Sequence, residues 1–205
     1  MNNRSIRVPS AVIAIVALAP IAYGQSSALG SPGNGSPTRG SLTSDTSSPS
    51  KASLTDAQIL GILDVANSDE VDQGKIAEAK GHAQAVKRFG KMMIEEHTAA
   101  KEKGRGLAKA LSLSLQPSSI ATALKARSED LVKELHQSNP ASFDGIYIGS
   151  QVTLHQDVLA LIDAHLAVDV RSSELKAFVS GIRRHVIHHL EVAKSTMKAL
   201  TPKSS

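Results

Sequence analysis

The chain has 205 residues, enough for one ordinary domain, and contains no cysteine. The lack of cysteine excludes a disulfide framework, a thiol nucleophile, a cysteine-ligated zinc site and a cysteine-anchored lipoprotein. The formal net charge of +4 comes from interspersed basic and acidic residues, and aromatic residues make up only 2% of the chain. Without a basic run or aromatic stacking platforms, nucleic acid is not an expected partner.

The first 24 residues have the pattern of a secretory signal peptide. Two arginines precede a short apolar core at residues 11–22, and small residues at 22 and 24 match the positions that a signal peptidase reads. The apolar core is too short to span a bilayer comfortably, and Pro20 interrupts it; an uncleaved membrane anchor is the alternative. Removing the segment lowers the net charge to about +2, because it holds two arginines and no acid. No later stretch is apolar enough to be a transmembrane span.

Residues 25–53 are almost entirely Ser, Gly, Pro and Thr. Such a composition buries too little apolar surface to offset the entropy of ordering the chain, so a disordered linker is predicted. It either holds the following domain away from a membrane or wall, or is a leader with no selected role.

A helical domain is predicted over residues 54–201, because apolar residues recur there at spacings of three and four and no strand pattern appears. The predicted fold class is all-α: an antiparallel four-helix bundle, ferritin-like, with an additional shorter helix. The predicted helices cover residues 55–80, 83 to about 113, 118 or 119 to 138, about 142–167 and about 172–200, the third being the shorter one.

Each of the four long helices places one ionisable side chain on its apolar stripe. These are Glu70, His97, His155 and His189, whereas Glu96 is predicted to face outward. A buried charge or imidazole without hydrogen-bond partners is costly, so four such groups are most simply explained if they meet. Three imidazoles and a carboxylate suit zinc, copper or iron, and bundle cores commonly hold metal sites.

A metal-free cluster, in which Glu70 accepts hydrogen bonds from imidazole N–H groups, is the alternative. His185 is able to join His189 because residues four apart share a helix face, whereas His188 is rotated away. The Glu-x-x-His signature of di-iron carboxylate bundles is absent from the sequence, so a ferritin-like oxidase is not expected.

Four segments of the chain resemble a bacterial family catalogued as domain of unknown function 4142. They are EVDQGKIA at 70–77, FGKMMIEEHT at 89–98, the stretch from 143 to 156, and HLE at 189–191. The resemblance implies a ferritin-like helical bundle, an exported location and no established activity. Its motifs fall on Glu70, His97, His155 and His189. The chain departs from it at Glu96, where the family usually has Asp, and His185 and His188 are local additions.

Three hypotheses of function follow. The leading one is an exported, tethered helical-bundle protein of undetermined activity with a metal in its polar core. The second is a structural or partner-binding module of the cell envelope whose His/Glu cluster holds no metal. The third is an envelope metalloenzyme acting on oxygen species, which needs an open coordination position. The periplasm is the expected compartment, with outer-membrane association or secretion as alternatives.

Overall fold

The computed structural model describes residues 53–201, and within that range every regular element is helical, as predicted. No helix of this part of the chain is long and apolar enough to cross a membrane. The predicted signal peptide and nearly all of the predicted linker lie outside the described residues. The helices are α1 (Asp56–Lys80), α2 (Gln84–Ala110), α3 (Ser119–Gln137), α4 (Pro140–Leu161), a π-helical segment (Ile162–Leu166), α5 (Ala167–Asp169) and α6 (Ser173–Leu200).

Local capping explains where most helices begin. Thr55 and Gln58 form a capping box at α1, where the Thr55 hydroxyl accepts from the backbone amide of Gln58 at 3.2 Å. Ser118 caps α3 and Ser172 caps α6 in the same way. Helix α4 begins at Pro140, two residues before the predicted start, because Asn139 caps it and proline is favoured in a first turn. Each such cap contributes about 1 kcal/mol.

Helix α2 begins without a side-chain cap of its own. Instead Asp144, from α4, accepts hydrogen bonds from the backbone amides of His82 and Ala83 at 2.9 and 2.7 Å. A carboxylate here satisfies amides that the helix leaves open and complements the positive end of its dipole. The start of α2 is therefore tied to α4.

The predicted fourth helix is composite. Its α-helical hydrogen bonding ends at Leu161, widens into the π-helical segment and resumes briefly in α5. Ile162 and Leu166, the ends of the π-helical segment, are both fully buried. Apolar periodicity had predicted one continuous helix to Ala167, because Ile162 and Leu166 are four residues apart, a spacing that also fits an α-helix.

The apolar core forms two clusters, and each helix that contributes to both has buried or half-buried polar residues between them. The first apolar cluster includes Ile59, Leu63, Ala108, Ala121, Leu166, Phe178 and Val186. The second includes Ala77, Phe89, Met93, Leu135, Tyr147, Ile148 and Ala193. The intervening polar layer comprises Asn67, Glu70, Gln73, His97, Ser128, Gln151, His155 and His189.

The order in which the helices meet the two clusters alternates along the chain. Helices α1, α3 and α6 contribute to the first apolar cluster near their beginning and to the second near their end, whereas α2 and α4 do the reverse. Helix α1 packs along α2, α4 packs along α6, and α3 lies against α1 and α4. The polar layer is consequently assembled from the middles of five different helices.

Glycines allow α1 and α2 to approach closely beside this layer. A Cβ atom at Gly74 or Gly90 would lie 2.8 Å from the backbone oxygen of the other glycine. Real side chains do not tolerate that distance, so the contact requires two glycines. Gly74 is therefore a packing residue.

Candidate metal centre

Three of the four predicted ligands come together in the polar layer. His97 lies on α2, His155 on α4 and His189 on α6, and each offers one ring nitrogen within 4.8 Å of the other two. The ring centroids are 5.1 to 6.1 Å apart. His155 and His189 are buried, and His97 is half-buried with its Nε2 shielded from solvent. Side chains from three helices thus converge at one point.

The partner of His155 defines which of its nitrogens carries the proton. Its Nδ1 lies 2.9 Å from the backbone oxygen of Gln151. A carbonyl oxygen only accepts hydrogen bonds, so Nδ1 is the donor, and in the neutral ring Nε2 keeps its lone pair.

His189 is oriented in a similar way by a carboxylate. Its Nε2 lies 2.9 Å from Glu96 Oε2 and donates to it, which leaves the lone pair on Nδ1. That Nδ1 faces His155 Nε2 at 3.3 Å. Two lone pairs therefore point toward each other, and neither neutral ring has a proton to place between them.

His97 completes the set with a third kind of acceptor. Its Nδ1 lies 2.8 Å from Asn67 Oδ1, and the Asn67 amide nitrogen donates to the backbone oxygen of Leu63 at 2.6 Å. This second bond sets the orientation of the amide, so Asn67 presents its oxygen and His97 Nδ1 donates. His97 Nε2 is left with a lone pair and no partner among the described residues.

Burial keeps these rings neutral. It lowers the pKa of His155 to about 4, with the neighbouring His189 lowering it further, and the same two causes hold the pKa of His97 well below its usual range. Burial also lowers the pKa of His189, and it outweighs the raising effect of Glu96. The neutral imidazole is the form that binds metal ions, so the rings are in the ligating state at neutral pH.

Glu96 connects this buried group to the surface. One oxygen, Oε2, lies 2.9 Å from both His189 Nε2 and His185 Nδ1. Partial burial raises the pKa of Glu96, but the hydrogen bonds from His185 and His189 outweigh it, and its pKa is lowered. The side chain of His185 is 62% exposed, that of Glu96 33% and that of His189 2%. The three side chains thus lead from solvent to the core.

Glu70, the fourth predicted ligand, belongs to neither group of convergent ligand atoms in residues 53–201. Burial raises its pKa to about 8, against a smaller lowering by the Gln151 amide. Glu70 Oε2, the Tyr147 hydroxyl and Gln151 Oε1 are buried without hydrogen-bond partners in the described part of the chain. Gln151 Nε2 donates to Gln73 Oε1 at 2.9 Å, and Gln73 Nε2 donates to Ser128 at 3.0 Å.

Sequence reasoning missed the two side chains that orient the histidines. Glu96 was predicted to face outward, yet it is only partly exposed and binds the buried His189. Asn67 lies four residues after Leu63 and three before Glu70, a spacing that marks it as part of the buried face. His188 is exposed and belongs to neither ligand group, consistent with its predicted rotation away.

Residues 53–201 define a class: a helical domain with a largely buried three-histidine group in which each ring has one nitrogen facing a hydrogen-bond acceptor. The chain belongs to the family described as "Domain of unknown function (DUF4142)", whose model matches residues 41–196, and the predicted family is thereby confirmed. No curated protein and no solved structure matches the chain. The family description assigns no activity, so function must be inferred from the site.

Proposed function

We propose that this protein binds a divalent transition-metal ion through His97 Nε2, His155 Nε2 and His189 Nδ1. The observation that carries the proposal is that one ring nitrogen of each histidine lies within 4.8 Å of the other two, while each ring also has a nitrogen that faces a hydrogen-bond acceptor. These acceptors are a carboxylate, a backbone carbonyl and an amide oxygen. Metal-bound histidines typically donate their second N–H to such groups, which orient the ring and set its tautomer.

Distance supports the same conclusion. Zinc binds imidazole nitrogen at about 2.0–2.1 Å, so two ligands of a tetrahedral ion lie about 3.3–3.4 Å apart. The nitrogens of His155 and His189 are 3.3 Å apart. Imidazole ligands suit zinc, copper and iron, so the class of metal is a first-row transition ion.

The metal-free hydrogen-bonded cluster is the weaker interpretation of these contacts. Such a cluster would place an N–H between His155 and His189, whereas both rings direct their protons away, to Gln151 and Glu96. It would also pair His97 Nε2, which has no partner in the described residues. A bound cation satisfies all three nitrogens at once.

The fold and compartment belong to the same proposal. The alternating order of the helices supports an antiparallel, ferritin-like bundle of α1, α2, α4 and α6, with α3 packed across α1 and α4. The signal-peptide pattern and the Ser/Gly/Pro-rich segment support an exported domain, tethered in the periplasm. Three protein ligands leave one coordination position of a tetrahedral ion open, as an envelope metalloenzyme would require.

Metal content tests the proposal directly. Tag-free protein spanning residues 25–205 would be loaded with Zn²⁺, Cu²⁺ or Fe²⁺, dialysed and analysed by mass spectrometry. We expect at least one tightly bound ion per chain. The same content is expected in a His188→Ala control, and none in a His155→Ala/His189→Ala variant whose circular dichroism shows it folded.

Absence of metal from the parent protein after all three loadings would overturn the proposal. Equal metal content in the parent and the folded double variant would also overturn it. In either case the histidines would be a structural hydrogen-bond group, and the partner-binding hypothesis would take precedence.

A further inference from the structure

His189 belongs to two groups of convergent ligand atoms and offers each a different nitrogen. Its Nδ1 lies 3.3 Å from His155 Nε2 in the buried group, and its Nε2 lies 2.9 Å from Glu96 Oε2 in the group that also includes His185. In the second group the ligand atoms of Glu96, His185 and His189 also lie within 4.8 Å of one another. A single imidazole ring therefore joins a buried group to a partly exposed one.

We propose that Glu96, His185 and His189 form a second, outer cation site, and that the His189 ring bridges the outer ion and the inner ion as an imidazolate. This inference rests on the inner site proposed above. The outer ion would be of the same class, a divalent transition metal, with Cu²⁺ the best suited to a set of imidazole and carboxylate ligands.

The helices bring the outer ligands together without any rearrangement of the backbone. His185 and His189 are four residues apart on α6, so they occupy one face of that helix, and their ring centroids are 6.2 Å apart. Glu96 precedes the inner ligand His97 on α2, and its Oε2 already contacts both rings at 2.9 Å. The carboxylate supplies the negative charge that a second cation beside the first requires.

Exposure favours entry of an ion from this side. The exposed fractions of the side chains fall from 62% for His185 to 33% for Glu96 and 2% for His189. An ion arriving from solvent therefore meets His185 and Glu96 before it meets the buried nitrogens. The outer site would therefore be both a second metal-binding site and the route by which an ion reaches the inner site.

Binding of the outer ion changes where the protons of His189 and His185 lie. With only the inner ion bound, His189 Nε2 keeps its proton and donates it to Glu96; binding of the outer ion displaces that proton to solvent and leaves an imidazolate. His185 moves its proton from Nδ1 to its other nitrogen, with no net release. Binding of the outer ion therefore releases one proton, and no oxidant or reductant is needed.

Copper titration with electron paramagnetic resonance tests the bridge, because two Cu²⁺ ions joined by an imidazolate couple magnetically. We expect the protein spanning residues 25–205 to bind about two Cu²⁺ ions per chain, and the signal to fall as the second ion binds. A His185→Ala variant should bind about one ion and keep its full signal. A His188→Ala control should behave as the parent does. His185 is exposed, so its variant should fold, which circular dichroism would verify.

Other outcomes separate this inference from the metal site it rests on. One ion per parent chain that survives in His185→Ala and is lost in His155→Ala would retain the inner site and overturn the outer one. Two ions with undiminished, additive signals would overturn the bridge. One ion that is lost in His185→Ala but retained in His155→Ala would overturn the inner site and the bridge together.

Discussion

The polar layer contains two groups of buried side chains that differ in how well their hydrogen bonds are satisfied. In the histidine group every ring directs one nitrogen to an acceptor, at 2.8 to 2.9 Å. In the Glu70 group three oxygen atoms, on Glu70, Tyr147 and Gln151, have no partner in residues 53–201. Glu70 and Gln151 lie between the same two apolar clusters as the histidines, and Tyr147 belongs to the second cluster, so burial alone does not explain the difference.

Burial shifts the pKa values of the two groups in opposite directions. Burial lowers the pKa of His155 to about 4 and raises the pKa of Glu70 to about 8. Both groups are thereby neutral near pH 7, one because it sheds a proton and the other because it keeps one. The histidines then offer neutral nitrogen ligands to a cation, whereas protonated Glu70 carries no negative charge to attract one. Glu70 also lies outside both groups of convergent ligand atoms in residues 53–201.

The largest expected effect concerns Glu70 at alkaline pH. Its pKa is raised in the folded state, so its contribution favours folding fully below its ordinary pKa of 4.5 and is lost as the pH rises through about 8. The Glu70→Gln variant keeps nearly the same side-chain shape but has no titratable carboxyl group. It should therefore be more stable than the parent at pH 9, by up to about 4 kcal/mol.

Urea denaturation of metal-free protein at pH 5, 7 and 9 would measure this difference. Glu78→Gln is the matched control, because Glu78 is exposed on the same helix. Asp69→Asn is a second comparison, since burial also raises the pKa of Asp69, to about 6, which affects stability at lower pH. An equal fall in stability for parent and Glu70→Gln between pH 5 and 9 would contradict the prediction.

The next largest expected effect is the loss of folding stability that acid causes through the histidine group. The pKa of His155 is lowered in the folded state, so the associated stability is complete above about 6.5 and is lost as the pH falls toward 4. The metal-free parent should lose about 3 kcal/mol from His155 over that range, and His155→Gln should remove that part of the loss.

Urea denaturation with a chelator present, at pH values between 7 and 4, would measure this loss of stability. His136→Gln serves as the control, because His136 is an exposed histidine outside the polar layer. If the parent and His155→Gln lost stability in parallel on acidification, His155 would have to be charged or paired in the folded state, contrary to its contacts.

These two groups also show which features the sequence could predict. Helix starts follow from neighbours within four residues, so the capping box at Thr55 and the cap before α3 were predictable. The apolar stripes also identified His155 and His189 as buried. The stripes could not show the tautomer of each ring. The tautomer depends on contacts between residues far apart in the chain, such as Glu96 and His189, which are separated by 93 residues. Glu70 was grouped with the histidines because periodicity reveals burial but not the neighbours of a side chain.

The smallest expected effect comes from Tyr147, the aromatic member of the Glu70 group. Its ring packs edge-on against Phe89 at 6.0 Å and stacks with Phe143 at 6.4 Å, while its buried hydroxyl has no partner among residues 53–201. Burial, together with the nearby Glu70 carboxyl, raises its pKa well above the usual range, so it stays a neutral phenol.

Removing a buried, unpaired hydroxyl relieves a desolvation cost. Tyr147→Phe should therefore be neutral or stabilising by up to about 1 kcal/mol in urea denaturation at pH 7. A loss of more than about 1 kcal/mol would instead show that the hydroxyl is hydrogen-bonded in solution, with the protonated Glu70 carboxyl the first partner to test, and the Tyr147→Phe/Glu70→Gln double variant would measure their coupling.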